Sequence, residues 1–211
     1  MHEGIGSAGT ADDAATDRAL HAAAERGDVD AVKRLLAAGA AIDARDEHGQ
    51  TALLAAVWRN ELETARALIE AGADVNAQDD IHDSPYLLAG ARGRVEILRL
   101  TLAHGADLKS VNRYGGTALI PAAERGHVEA VRTLLDAGVD VNHVNKLGWT
   151  ALLEAVMLGD GGPERVEIAR LLIDGGADVN LADRDGVTPL QHARRRGYRA
   201  METVLEDAGG A

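Results

Sequence analysis

Residues 112–142 read NRYGGTALIPAAERGHVEAVRTLLDAGVDVN, and this stretch decides the fold. Gly115 and Gly116 mark a turn, and Thr117 is placed to cap a short apolar helix over Ala118 to Arg125. Gly126 breaks that helix. A second helix follows from Val128 to Asp136, with Val128, Val131, Leu134 and Leu135 on one face at helical spacing. Gly138 stands where a left-handed C-terminal cap belongs. A unit of this size has too little apolar surface to fold alone, so it must stack on copies of itself.

Those copies are present. The residue that starts each first helix recurs as Thr51, Ser84, Thr117, Thr150 and Thr188, and the break between helices as Gly27, Asn60, Gly93, Gly126, Gly159 and Gly197. Leu36, Ile69, Leu102, Leu135 and Ile173 close the second helices. From residue 27 to residue 159 each step is 33, the period of a stacked two-helix array. The segments GQTALLAAV, GWTALLEAV and GVTPLQHARRRG, together with the stretch above, resemble the ankyrin-repeat pattern G-x-T-P-L-H-x-A-A-x-x-G-x-x-x-x-V-x-x-L-L-x-x-G-A-D-V-N. The resemblance covers roughly residues 14–209. It implies an all-α ankyrin-repeat solenoid of stacked helix-turn-helix units with projecting β-turn or hairpin loops. Six repeats are expected, at about 14–44, 45–77, 78–110, 111–143, 144–181 and 182–211, behind a disordered tail over residues 1–13. The fifth carries an insertion at 160–165, whose Asp-Gly-Gly-Pro chemistry predicts a protruding loop between its helices.

Bulk composition narrows the function. The 211 residues contain no cysteine, so neither a disulfide framework nor a thiolate site is expected. A balance of 22 Lys+Arg against 34 Asp+Glu gives −12, which disfavours a nucleic-acid partner. The basic cluster Arg194, Arg195, Arg196 and Arg199 falls in the last repeat, where charge solvates a terminal cap. No apolar run approaches a membrane span, and MHEGIGSAGTADDAAT has neither the basic nor the apolar part of a signal peptide. A monomeric cytoplasmic protein without a cofactor is expected, and the Ala/Gly/Arg-rich composition suggests a bacterial source. The metalloprotease, nucleophile-elbow and phosphate-loop motifs are all missing, so an enzyme is not expected.

The resemblance implies that partners are bound by the projecting turns and the inner face of the first helices. At those positions stand Trp58, Arg59, Ile81, Asp83, Arg113, Tyr114, Lys146, Leu147, Trp149, Glu154, Met157 and Leu158. The stacking core does not need the tryptophans, Tyr114, Leu147, Met157 or Leu158, and aromatics with nearby arginines make up binding hot spots. The bland alternative is that they pack flat between neighbouring turns. Trp58, Tyr114 and Trp149 are read as anchors of a protein partner, with Arg113, Lys146 and Glu154 orienting it. A second reading is a small-molecule site or unusual enzyme around His82, Asp83, Arg113 and Tyr114; a third is an accessory scaffold for another enzyme. His82 takes the place of the turn glycine in the third repeat, where it belongs either to a polar pocket or to a turn held by Asp83 capping. Tyr86 replaces a leucine there, and Gly90 an alanine.

Overall fold

The computed structural model describes residues 8–211, which contain helices and turns and no strand. Twelve helices alternate: α1 (Ala8–Glu25), α2 (Val29–Ala37), α3 (Ala52–Arg59), α4 (Leu62–Glu70), α5 (Pro85–Ala91), α6 (Val95–Ala103), α7 (Leu119–Glu124), α8 (Val128–Asp136), α9 (Ala151–Met157), α10 (Pro163–Asp174), α11 (Pro189–Arg196) and α12 (Arg199–Asp207). Residues 8–13, which the sequence places in the tail, belong to α1. The rest of that tail, residues 1–7, lies outside the described residues.

The chain forms two compact units, one running to Leu88 and including Leu100–Ala106, the other comprising Ala89–Arg99 and Asp107–Ala211. In the first, α1 packs on α3 and α2 on α4, and each of these hairpins also packs within itself. In the second, α7, α9 and α11 make one layer and α8, α10 and α12 another, as expected of stacked two-helix repeats. The inner first helices are buried nearly all round: every residue from Ala52 to Val57 and from Ala151 to Val156 is in the core, whereas α1 and α11 each leave several residues exposed. Alanine permits such close stacking because its methyl lets helix backbones approach. Second helices bury one stripe, Ala130, Val131 and Leu134 in α8 for example, and show solvent the rest. Asparagines staple neighbouring repeats. Asn142 Nδ2 donates to Gly176 O at 3.2 Å and its Oδ1 accepts the Asp178 amide at 2.8 Å, and Asn180 repeats the device on Gly209 and Ala211.

The first helices begin as the sequence predicts, with one exception. Thr51, Ser84, Thr150 and Thr188 each accept the amide three residues on, at 3.2 to 3.3 Å. Thr117 does not: its Oγ1 is buried and without a hydrogen-bond partner, and α7 begins only at Leu119. Pro121 is the cause. In the other repeats the carbonyl of the capping residue receives the amide four residues on, from Ala55, Leu88, Glu154 or His192. Proline has no amide to give. The Thr117 carbonyl instead takes the Ile120 amide at 3.2 Å, which leaves the threonine hydroxyl nothing to cap.

The insertion also differs from expectation. Thr150 and Thr188 are 38 residues apart where neighbouring starts are 33 apart. Three of the extra residues lengthen α10 to 12 residues against 9 for α8, with Pro163 opening its first turn. The remainder makes a slightly longer linker, not a protruding loop. The left-handed break moves with it, from the predicted Gly159 to Gly161 (φ 73°), over which the Tyr198 ring lies.

Candidate partner-binding site

Each projecting turn is built on one Asp or Asn side chain. Asp46, Asp79, Asn112, Asn145 and Asp183 each accept two amides on Oδ1, from the residues two and four further on, at 2.8–3.1 Å. A backbone pair closes the same loop, as when the Asn145 amide donates to Trp149 O at 3.0 Å. This side chain does locally what a strand partner would otherwise do. The third turn is therefore held by Asp79, which accepts the Ile81 and Asp83 amides, where the sequence pointed to Asp83. His82 occupies the left-handed position (φ 63°) that Gly49, Gly115, Gly148 and Gly186 fill elsewhere. These five residues are less conspicuous in the sequence than the turn glycines beside them. Their own 33-residue spacing, from 46 through 145, was the available signal.

With the turn frame fixed, the residue two after the Asp or Asn is the tip, and it points outward. In the second unit Tyr114 is 53% exposed and Leu147 50%. Arg113 lays its guanidinium 4.8 Å from the Tyr114 ring centroid. Lys146 ties the two tips together, its amide donating to Tyr114 O at 2.9 Å and its Nζ to Arg113 O at 3.0 Å. Trp149 and Met157 are half-buried and Leu158 is exposed at the end of α9. In the first unit Ile81 is the exposed tip, Asp83 and Trp58 are half-buried, and Arg59 is exposed with Glu25 at 3.9 Å. Also in that unit a depression is lined by Asp17, Arg18, His21, Arg45, Asp46 and Gln50.

Glu154, expected to orient a partner, is only 5% exposed. Its Oε1 accepts Asn145 Nδ2 at 2.9 Å, so it supports the turn that carries Leu147 and Trp149. Burial pushes its carboxyl up to about 7, with repulsion from Glu124 adding to the shift and the Asn145 hydrogen bond opposing it. His192 stands at the corresponding place in the sixth repeat, its Nε2 2.7 Å from Asp183 Oδ2. Burial raises the Asp183 carboxyl, but hydrogen bonds from the Val187 amide, His192 and the Asp185 amide outweigh it and hold the group below its ordinary value. Among the described residues no group of three His, Cys, Asp or Glu side chains is arranged to hold a metal ion. Nor is any helix among them long and apolar enough to cross a membrane.

This architecture can be compared with known proteins. Three copies of the ankyrin repeats family profile match, at residues 5–79, 86–183 and 137–210. No curated protein sequence matches significantly. Among solved structures, an ankyrin repeat domain from Acinetobacter baumannii AYE is 63% identical, with a TM-score of 0.88 over 91% of this chain and 98% of that one. A second ankyrin repeat protein is 44% identical, with a TM-score of 0.86 over 90% and 97%. The ankyrin repeat domain of Bcl-3, a member of the IκB protein family, is 30% identical, with a TM-score of 0.82 over 92% and 86%. Ankyrin repeats are in general protein-protein interaction modules and are generally non-enzymatic. With its 33-residue period, its paired helices and its side-chain-anchored turns, the chain belongs to the ankyrin-repeat family.

Proposed function

We propose that the chain binds a partner protein, without catalysis, through its turn tips and the adjoining ends of the first helices. One observation carries this. Five large apolar side chains are exposed among the described residues, and three of them, Ile81, Tyr114 and Leu147, occupy the same tip position in successive repeats. The turn frame does not require an apolar tip: His48 and Asp185 fill the position in the second and sixth repeats. A solvated surface gains nothing from such side chains, whereas burying about 100 Å² of one against a partner is worth roughly 2–3 kcal/mol. Tyr114, with Arg113 stacked on it, combines two of the residue types enriched in hot spots. Trp149, Leu158 and Met157 extend the same apolar character down the fifth repeat, and Trp58, with the charged Arg59 beside it, supplies it in the second.

The test is affinity capture from a lysate of the source organism with wild type and Tyr114→Ala/Leu147→Ala as baits of equal melting temperature. A protein held by wild type and lost by the variant is the expected result. Capture that is indifferent to both residues would sink the reading.

A further inference from the structure

At the opposite end of the first helices from the tips, the second unit gathers positive charge. Arg125 Nη1 donates to Ala91 O at 2.8 Å, closing the C-terminus of α5. Arg165 Nη1 does the same for α7, donating to Ala123 O at 2.6 Å and also to Glu124 O. Between them lies His127, whose ring packs on Gly93 so closely that a Cβ there would sit 2.7 Å from it. The Arg165 guanidinium covers Gly126 in the same way, at 3.4 Å. Arg92 and Arg94 flank Gly93. Five basic side chains thus meet around two linkers.

Helix capping explains one nitrogen on each of Arg125 and Arg165 and leaves their charge unmatched. Among the described residues neither they nor Arg94 has a carboxylate within 4.0 Å, and Arg94 Nε is buried without an acceptor. The acids that open α6 and α8 are engaged elsewhere, Glu96 with Arg99 and Glu129 with Arg132. The ring of His127 reports the resulting field. Burial lowers its pKa, and Arg125, Arg165, Arg94 and Arg92 lower it further. All this occurs in a chain of net charge −12, so it is a local reversal of sign.

We propose that this edge is an anion-binding site for an acidic segment, a run of Asp and Glu side chains in a partner protein. The guanidinium fork fits a carboxylate two bonds at a time. The cations lie on the linkers of successive repeats and, for Arg165, in the first turn of α10; the repeats stack at roughly helix-packing distance, about 10 Å, on open surface. That spacing suits charges repeated along a peptide and does not enclose a single ion. The remaining charge of the chain opposes a nucleic acid at long range. The site shares no residue with the turn tips and stands or falls apart from them.

A fluorescein-labelled decaglutamate peptide, titrated with the full chain at low salt and read by anisotropy, tests this. Wild type binds, more weakly as salt rises, and the ring signals of His127 shift in the NMR spectrum. Arg92→Glu/Arg125→Glu loses about tenfold or more in affinity, while Arg170→Glu, a like charge change on an exposed face of α10, loses less than about threefold. Should loss of the Ala91 contact unfold the double variant, Arg92→Gln/Arg125→Gln removes the charge but keeps a donor and must show the same loss. No binding by wild type, or equal loss in Arg170→Glu, overturns the proposal. So does full displacement by millimolar inorganic phosphate, which marks a single-ion site. Tighter binding of a single-stranded oligonucleotide than of the peptide overturns it as well.

Discussion

Asn145 holds Glu154 at 2.9 Å in the core of the fifth repeat, and the same asparagine carries the Leu147 and Trp149 amides on its other end. A titrating side chain is therefore one bond removed from an exposed recognition turn. The sign of its effect follows from its pKa, ordinarily 4.5 and about 7 in the fold. Between those values the folded state holds a proton that the unfolded state has released, so stability falls as pH rises from 4.5 to 7. At most roughly 3 kcal/mol is lost over that interval. Glu154→Gln keeps an acceptor for Asn145 and has no charge to bury. Thermal melts from pH 4.5 to 8 are expected to show wild type falling behind the variant as pH rises. Parallel curves would mean that the carboxyl ionises freely in the fold.

The sixth repeat carries the opposite dependence. Asp183, hydrogen-bonded to His192 and to two amides, has its pKa depressed below 3.8. Its contribution is complete above 3.8 and is lost as pH falls through the folded-state value. Asp183→Asn retains the turn acceptor, as Asn112 and Asn145 show, but forfeits the charge. The variant should melt lower than wild type at neutral pH, with the gap closing under acid. A gap that persists unchanged at pH 2–3 would assign the cost to lost packing instead of charge.

The frame of this molecule was legible because its spacing repeats: caps, breaks and apolar stripes recur every 33 residues, and each copy corroborates the rest. The site was less so. Nine residues after the turn Asp or Asn stand Ala55, Leu88, Pro121, Glu154 and His192, with no shared chemistry, so nothing in one sequence marks Glu154 as a buried partner of Asn145. The tips were legible as positions, and their exposure follows from the turn. The arginines around His127 were not, since Arg94, Arg125 and Arg165 are far apart in sequence and meet only when repeats stack.

Pro121 yields a prediction that runs against the usual expectation for a proline in a first turn. An amide at position 121 would return to the Thr117 carbonyl, release the Ile120 amide and let Thr117 Oγ1 cap it, as Thr51 caps Leu54. Restoring a cap is worth about 1 kcal/mol, and relief of the helix start adds to it, against a few tenths lost because the unfolded chain gains freedom. Pro121→Ala should therefore be more stable by about 1 kcal/mol in urea denaturation. A destabilised variant would show that proline's rigidity outweighs the missing cap.

His82 is held at φ 63°, where the other turns have glycine, and its side chain is exposed. A side chain in the left-handed region costs roughly 1–2 kcal/mol, while glycine pays about 0.5–1 kcal/mol more in chain entropy on folding. The first cost is the larger, so His82→Gly should be stabilised by up to about 1 kcal/mol, or about 2–4 °C in melting temperature for a chain of this size. His82→Ala separates strain from contact. Alanine meets the same restriction on φ and, lacking the imidazole, should melt at or slightly below wild type. If His82→Gly falls as far as His82→Ala, the imidazole contributes an interaction that repays its strain, and the third turn is shaped around that side chain.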